Sequence, residues 1–234
     1  MQIFYIPNLD LDQLYLDKDE SKHATKVLRK KTGDQAFVVD GKGSIYTIEF
    51  TIMAEKKVSF RILETKNTFQ KRKHYLHLMV APTKNIDRFE WFLEKATEIG
   101  VDRITPILCQ NSERTVIKHE RLHKIIVGAM KQSEKAYLPQ LDPITPINET
   151  FKDTFEGQRF MAYCEEKPPA HLFHQLDKEI KQVQIYIGPE GDFSTKELEI
   201  AAANQISYIN LGQSRLRTET AAITACHTSN LFHE

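Results

Sequence analysis

The chain has 234 residues, of which 41% are hydrophobic and 27% are charged, and its 32 Lys and Arg balance its 32 Asp and Glu. This length allows one large domain or two small ones, and the composition is typical of an ordinary globular protein. No stretch approaches the ~20 apolar residues that span a bilayer, and the N-terminus lacks the basic start and cleavage site of a secretory signal, so we expect neither a membrane protein nor a secreted one.

The first 65 residues predict a small β-barrel or closed sheet. A single helix over residues 19–34 interrupts the strands, and Gly33 is its predicted end. The residues Asp40 to Gly43 predict a hairpin turn between two strands. Runs rich in β-branched and aromatic residues predict the strands IFYI, QAFVVD, SIYTIEFTI and VSFRIL.

The N-terminal part is more basic than the rest of the chain. Residues 1–73 contain 14 Lys and Arg against 10 Asp and Glu, whereas the remainder contains 18 against 22. A basic segment on an otherwise neutral protein is typical of contact with a polyanion. A solvated surface of uneven composition fits the same counts.

The polar, basic stretch KNTFQKRK at residues 66–73 predicts a linker, after which strands and helices alternate. Asn85 is a predicted N-cap and Gly100 a predicted helix end, and Ser194 with Glu197 predicts a capping box. Five strands alternating with five helices predict a parallel sheet with helices on its faces. The predicted strands are HYLHLMVAP, RITPILC, RFMAYC, VQIYI and YINL, and the predicted helices are IDRFEWFLEKATEI, KHERLHKIIVGAMKQSEKA, PAHLFHQLDKEI, STKELEIAAANQ and the C-terminal segment.

Two loops after predicted strands carry residues suited to ligand binding. Open parallel sheets bind ligands at the carboxyl ends of their strands. In the stretch IYIGPEGDFSTKELE, Gly188 and Gly191 allow close approach of the backbone, and the next helix offers free N–H groups. In the stretch LGQSRLRTETA, Arg215, Arg217 and Glu219 precede a helix of small residues. Either loop alone is compatible with a plain turn or helix cap, but two on successive strands favour a binding site.

Several common site motifs are missing. The sequence has no GxxxxGK[ST] phosphate loop, no GxGxxG after an early strand, no HExxH and no Cys/His cluster, so we predict no metal site. The three cysteines, Cys109, Cys164 and Cys226, are far apart and form no CxxC pair, which favours a reducing cytoplasm. Histidines at positions 74, 77, 119, 123, 171 and 174 are interpreted as surface or packing residues.

The strand–GPEG–helix and strand–LGxxRLRTETA–helix pair resembles the SPOUT class of methyltransferases. More closely, the chain resembles the ribosomal small subunit methyltransferase E family, which methylates N3 of one uridine in 16S ribosomal RNA. The similarity extends over nearly the whole chain. It includes HATKVLRKKTGD, the DGKG turn, DRFEWFLEKATEIGVDRITPI, MKQS, IGPEGD and LGQSRLRTETA, of which the last two are the specific motifs.

The resemblance implies a small PUA-like RNA-binding β-barrel domain over residues 1–70 and a SPOUT methyltransferase domain over residues 74–234. It also implies that the second domain is a parallel sheet tied in a trefoil knot, and that the protein is a cytoplasmic homodimer that uses S-adenosylmethionine to modify ribosomal RNA or the small subunit. Periodicity alone does not predict the knot, since knotted chains are very rare. Matched by position, the residues implied in cofactor binding are Glu165, Ile187, Gly188, Pro189, Glu190, Gly191, Leu211, Gly212, Leu216, Thr220 and Ala221.

Two positions depart from the family pattern. Asp192 stands where a second glycine is usual, and Glu134-Lys135 replaces the usual Gly-Arg. The arginine expected to help hold RNA is therefore missing or replaced by Lys135. The residues implied in RNA contact are His23, Lys26, Arg29, Gln132 and Lys135, the first three on one predicted helical face.

Uracil N3 carries a proton and becomes a good nucleophile only when that proton leaves. A cation near the uracil oxygens would stabilise the developing negative charge, and Arg217 is the candidate. Glu219 is a candidate for orienting Arg217 or accepting the proton, and a carboxylate that only favours the helix N-terminus fits equally. The nucleophile is the ring nitrogen, so no cysteine is needed, and Cys226 is interpreted as a small buried apolar residue.

Two other functions remain compatible with the sequence. A SPOUT enzyme that methylates another RNA position, such as a ribose 2′-hydroxyl, would share the same loops. A non-catalytic RNA-binding or ribosome-assembly factor could keep the fold, although such a factor would not need a cofactor pocket.

Overall fold

The computed structural model describes residues 2–163 and 169–234. The chain forms two compact units, one of Met1–Lys71 with Val127–Leu138 and one of Arg72–Ile126 with Pro139–Glu234. The sequence placed residues 127–138 in the second domain, whereas the structure groups this segment with the N-terminal unit. The reason is apolar packing, because Met130 and Ala136 share a buried cluster with Val39 and Ile45.

The N-terminal unit contains the four predicted strands in one sheet of order β1-β2-β3-β4. β1 pairs with β2 in parallel, and the other two pairings are antiparallel. Val39 pairs with Ile45 across the predicted DGKG turn. The inner face is a cluster of buried apolar side chains in which the Phe4 and Phe50 rings meet edge to face. The strands are β1 (Ile3–Tyr5), β2 (Gln35–Val39), β3 (Ile45–Ile52) and β4 (Ser59–Lys66).

The helix of this unit is shorter than predicted. Helix α1 (Lys18–Lys22) is capped by the Asp17 carboxylate and continues as a π-helical turn, His23–Val27. The chain leaves the helix at Arg29, where φ is 52°, and the N–H of Lys30 then donates to the carbonyl of Ala24 at 2.9 Å. This left-handed closing turn normally uses glycine, so the sequence did not indicate it. The prediction that Gly33 ends the helix was therefore wrong.

The C-terminal unit contains a seven-stranded sheet in which every pairing is parallel. Its order is β11-β9-β10-β5-β6-β7, and β8 pairs with β6. All five predicted strands are present. The strands are β5 (Tyr75–Val80), β6 (Arg103–Leu108), β7 (Gln140–Leu141), β8 (Thr145–Pro146), β9 (Gln158–Ala162), β10 (Gln182–Ile187) and β11 (Ser207–Ile209).

Four of the five predicted helices of the second half are present, although the second ends at Gln132, four residues before its predicted end. Asn85 caps α2, Gly100 ends it with φ at 130°, and the capping box of Ser194 and Glu197 opens α6. The helices are α2 (Ile86–Ile99), α3 (His119–Gln132), α4 (Ile147–Thr150), α5 (Leu172–Gln175), α6 (Thr195–Ala203) and α7 (Thr218–His233). Within residues 2–163 and 169–234, no helix combines the length and apolar character that a membrane crossing needs.

The helix predicted over residues 169–180 was wrong in length, because only α5 forms there. Leu176 is extended, and the Asp177 side chain accepts the N–H of Glu179 at 2.9 Å. The Asp177 N–H itself donates to the side chain of Gln158 at 2.7 Å. These local bonds compete with helical ones and stop the helix after one turn. The short elements β7, β8 and α4 were not predicted.

A chain of buried polar side chains crosses the middle of this sheet. Both ring nitrogens of His77 lie within hydrogen-bonding distance of side chains, Thr105 Oγ1 at 2.7 Å and Gln184 Nε2 at 3.2 Å. Arg103 Nε donates to the Asp142 carboxylate at 2.7 Å. Burial and the charge of Arg103 lower the pKa of His77 to about 4, although Asp142 opposes the shift. His77 is therefore a neutral packing residue at pH 7.

The lowered pKa of His77 predicts a loss of stability in acid. The unfolded chain binds the proton near pH 6.5, whereas the folded protein binds it near pH 4. The stabilisation is complete above pH 6.5 and is lost as the pH falls towards 4. At roughly 1.4 kcal/mol for each pKa unit, the loss is on the order of 3 kcal/mol. Urea unfolding at several pH values between 7.5 and 4 should show that the free energy of unfolding falls less with decreasing pH in His77→Gln than in the unsubstituted protein. The same slope in His77→Gln as in the unsubstituted protein would contradict this, and exposed His227→Gln is the control.

Candidate functional site

The carboxyl ends of β9, β10 and β11 surround one cavity of about 750 Å³. β9 lies between β10 and β11 in the sheet. With strands ~4.8 Å apart, the loops that follow β10 and β11 are separated by roughly 10 Å. The end of β9 forms the floor between them. The lining residues are Ala162, Tyr163, Ile187, Gly188, Pro189, Glu190, Asp192, Ile209, Asn210, Leu211, Gly212, Gln213, Ser214, Arg215, Leu216, Arg217, Thr218 and Ala221.

The loop after β10, residues 188–193, is a tight turn held against neighbouring loops. The N–H of Asp192 donates to the carbonyl of Pro189 at 3.0 Å. A Cβ on Gly188 would lie 3.1 Å from the ring of Phe193, so a side chain there is tightly restricted. The carboxylate of Glu190 accepts the N–H of Lys84, in the β5–α2 loop, at 3.0 Å. Glu190 thus lines the cavity and also ties two loops together.

The loop after β11, residues 210–217, bends sharply at Gly212, where φ is 125°. This conformation strongly favours glycine. The Gly212 N–H donates to the Asn210 side chain at 3.0 Å, which stabilises the bend. The hydroxyl of Thr218 then donates to the carbonyl of Gly188 at 3.0 Å. This hydrogen bond joins the two loops that the sequence singled out.

Helix α7 begins at this junction and packs tightly through small residues. Arg217 is its N-cap residue. Ala222, Ala225 and Cys226 are completely buried, and α7 lies against α2, β5 and β10. The interpretation of Cys226 as a buried small residue is confirmed, and its Sγ lies 3.5 Å from the carbonyl of Gly100. The alanines therefore let the helix approach the sheet beneath the cavity.

Most residues expected to bind the cofactor lie on the cavity wall. Gly191 does not, because it faces Asn111, and a Cβ there would lie 3.0 Å from the Asn111 Cβ. Thr220 also is not a lining residue and is exposed on the first turn of α7. Glu165 lies outside the described residues. The expected residues on the wall are Ile187, Gly188, Pro189, Glu190, Leu211, Gly212, Leu216 and Ala221.

The two residues expected to be catalytic have different surroundings. Arg217 is exposed and lines the cavity. Glu219 is 9% exposed and is not a lining residue. Its carboxylate lies 3.8 Å from Nε of Arg88 on α2. The structure therefore gives Glu219 an arginine partner other than the one considered from sequence.

Sequence reasoning missed several residues of the wall. Tyr163 follows β9, and Asn210 follows β11. The sequence marks Asp192 only as a departure from the family pattern and assigns no role to Thr218. The signal available was position, because each follows a strand or starts the helix beside the two glycine-containing loops.

The five residues expected to contact RNA all belong to the N-terminal unit. His23, Lys26 and Arg29 do not form the expected helical face, because Arg29 lies beyond the end of the helix. Lys26 pairs with Glu55 at 2.7 Å, and the His23 ring meets Phe4 edge to face. Gln132 is exposed at the end of α3, and the N–H of Lys135 donates to the carbonyl of Met130 at 3.1 Å.

Comparison with known proteins identifies the family. A family model described as RNA methyltransferase domain matches residues 70–230, and one described as RNA methyltransferase PUA domain matches residues 16–63. A protein named ribosomal RNA small subunit methyltransferase E from Rickettsia conorii is 29% identical, over 91% of this chain and 87% of its own. The chain belongs to the ribosomal RNA small subunit methyltransferase E family.

Solved structures agree with this family assignment. A probable rRNA-methyltransferase from Porphyromonas gingivalis is 36% identical, with a TM-score of 0.88 and 99% of both chains covered. The ribosomal RNA small subunit methyltransferase E of Neisseria gonorrhoeae, bound to S-adenosyl methionine, is 25% identical with a TM-score of 0.85, covering 97% of this chain and 95% of its own. The C-terminal unit of this methyltransferase E family member thus has the SPOUT fold, and a PUA domain precedes it.

The bond between Thr218 and Gly188 predicts a measurable contribution to stability. Thr218→Val keeps the shape of the side chain and removes the hydroxyl, so the free energy of unfolding should fall by about 1 kcal/mol. Thr218→Ser keeps the donor and should lose less. Urea unfolding at pH 7.5 compares the two variants. A larger loss in Thr218→Ser than in Thr218→Val would show that the methyl group, and not the hydrogen bond, holds the loops together.

Proposed function

We propose that this protein uses S-adenosylmethionine to methylate N3 of a specific uridine in small-subunit ribosomal RNA. The observation that carries the proposal is the cavity formed by the two glycine-containing loops, with Arg217 at its wall. Membership of an RNA methyltransferase family and a relative bound to S-adenosyl methionine support the same function.

The cavity suits such a cofactor in size and chemistry. Small-molecule sites commonly have volumes of ~300–1,000 Å³ and are mostly apolar with a few fixed polar groups. The wall combines the apolar residues Ile187, Leu211 and Leu216 with backbone at Gly188 and Gly212. Glycine leaves backbone N–H and C=O groups accessible to an adenine or a ribose. When bound, the cofactor would supply an electrophilic methyl group.

Arg217 would stabilise the charge that develops on the target base. Loss of the N3 proton spreads negative charge onto the uracil oxygens, and a fixed guanidinium nearby lowers the energy of that state. Among the residues that the structure describes, Arg217 makes no ion pair. Its charge therefore remains available to a bound nucleotide.

Glu219 has two candidate roles, proton acceptor and stabiliser of the helix N-terminus, and each needs different surroundings. As a proton acceptor it would need access to the base through the rim of the cavity. As a helix residue it would favour the N-terminus of α7, where a negative charge is stabilising. The ion pair with Arg88 supports the second role, because it directs the carboxylate towards α2.

The N-terminal unit would hold the ribosomal RNA. The residues proposed for contact are in that unit, at its short helix and in the segment Val127–Leu138. Phosphate contacts from lysine and arginine position RNA without reading its sequence. We further propose that residues 1–70 and 74–234 act as the RNA-binding and catalytic domains of a cytoplasmic homodimer.

Two measurements test the function. Calorimetry with S-adenosylmethionine should show binding to the purified protein, and an absence of binding would favour a non-catalytic RNA-binding factor. Ribosomal RNA from a strain lacking the protein should then lose one N3-methyluridine from the small subunit. Loss of a ribose methyl group, with N3-methyluridine unchanged, would support the rival SPOUT activity.

Gly212 provides a direct test of the cofactor site. Gly212→Val forces a β-branched residue into φ near 125°, with a strain cost on the order of 1–3 kcal/mol. We expect the loop to shift and the affinity for S-adenosylmethionine to fall at least about tenfold. Gly33→Val is the matched control, because Gly33 also has positive φ and open space but lies in the other unit. Equal affinities in the two variants would remove this loop from the site.

Substitutions of Arg217 and Glu219 test the chemistry. Arg217→Ala should lower the single-turnover rate at saturating cofactor by about a hundredfold or more, with little change in cofactor affinity. Glu219→Gln should flatten the pH dependence of the rate if Glu219 accepts the proton. If Glu219 serves only the helix, stability should fall by about 1 kcal/mol with the pH profile unchanged. Wild-type rates in Arg217→Ala would leave the loop with a structural role only.

A further inference from the structure

The loop after β6 contacts the glycine-containing turn through Asn111, which does not line the cavity. Asn111 Nδ2 donates to the carbonyls of Gly191 and Asp192, both at 3.1 Å. The N–H of Gln110 donates to the carboxylate of Glu197 at 2.8 Å, and Glu197 also accepts the N–H of Ser194 at 2.7 Å. The β6–α3 loop is therefore attached to the middle of the segment between β10 and α6 and to the first turn of α6.

The turn packs against Asn111 at Gly191 and lines the cavity through the residues on either side. Gly191 packs against Asn111 so closely that a Cβ would lie 3.0 Å from the Asn111 Cβ. Glu190 and Asp192, on either side of Gly191, both line the cavity. Asp192 has φ of 60°, a conformation that costs energy for a residue other than glycine. An outside contact that fixes two successive carbonyls can hold this conformation.

We propose that Asn111 is a positioning residue for the cofactor-binding turn, although it does not line the cavity itself. The identity of the ligand rests on the proposed function, whereas the anchoring of the turn does not. By fixing the carbonyls of Gly191 and Asp192, the amide sets the peptide planes of the turn before a ligand arrives. Preorganisation of this kind raises affinity because less freedom is lost on binding.

A positioning role predicts a specific pattern of effects. Losing two exposed hydrogen bonds should weaken S-adenosylmethionine binding by about tenfold. The single-turnover methylation rate at saturating cofactor should stay within about twofold, because Asn111 contacts neither substrate nor reacting atoms. The N–H of Asp192, which donates to Pro189, should exchange with solvent faster in the ligand-free protein.

The experiment compares three variants of the full chain. Asn111→Asp removes the donor and adds a charge, and Asn111→Leu removes the donor without a charge. Gln110→Glu makes the same amide-to-carboxylate change one residue away, where only the backbone N–H has a described hydrogen bond. Hydrogen exchange of residues 188–193 without cofactor measures the anchoring, and calorimetry with S-adenosylmethionine measures its consequence.

The proposal expects faster exchange and weaker binding in both Asn111 variants and neither change in Gln110→Glu. Unchanged exchange and affinity in Asn111→Leu would overturn it, as would equal weakening in Gln110→Glu, which would assign the effect to charge. A loss of rate without a loss of affinity would also overturn it. If the unsubstituted protein binds no S-adenosylmethionine, the proposed function fails, while the exchange measurement still decides whether Asn111 anchors the turn.

Discussion

The common direction of all seven strands in the C-terminal sheet is the constraint on which the candidate site depends. Parallel pairing brings the carboxyl ends of β9, β10 and β11 to one edge. Because β9 lies between the other two, their loops cannot close on each other and leave a gap with the end of β9 as its floor. After β10 the chain crosses back over β9 to form β11, so the strand order reverses there. Open parallel sheets generally bind ligands at the strand ends where the order reverses.

The gap keeps its shape through hydrogen bonds that come from distant parts of the chain. The Thr218 hydroxyl donates to the carbonyl of Gly188, and the Glu190 carboxylate accepts the N–H of Lys84. The Asn111 amide donates to the carbonyls of Gly191 and Asp192. Each bond contributes only about 1 kcal/mol. Together they restrain the turn, because they join it to three different parts of the chain. A backbone held in this way has less conformational freedom to lose when a ligand binds.

Local sequence patterns predicted most of the fold. They failed where a residue distant in sequence ends a helix, and where a strand is only two residues long. The strands, the cap at Asn85 and the capping box at Ser194 depend on neighbouring residues, so the sequence indicates them. Helix α5 stops after one turn because the N–H of Asp177 donates to the side chain of Gln158. The turn that closes the helical segment begun by α1 is at Arg29, and arginine is not a usual signal for a helix end. The two-residue strands β7 and β8 are too short for a periodic pattern to show.

In the candidate site, too, the sequence indicated the features that depend on neighbouring residues and missed those that depend on distant ones. Glycines after two strands predicted the wall of the cavity, because close backbone approach requires them. The partners of those loops are not visible in the sequence: Arg88 lies more than a hundred residues before Glu219, and Asn111 about eighty before Gly191. The knot that the SPOUT resemblance implies is likewise a property of the whole path of the chain and of no local pattern.

The partner of Glu219 bears on how one loop can carry both a carboxylate and the exposed Arg217. A carboxylate two residues from Arg217 would ordinarily compete for its charge and weaken its effect on a bound base. Arg88 reaches Glu219 from α2 instead, and the carboxylate is nearly buried. With Glu219 paired to Arg88, the proposed action of Arg217 on a bound base would meet less competition from the acid two residues away. In this arrangement Arg88 pairs with Glu219 at the start of α7, and Arg217 lines the cavity.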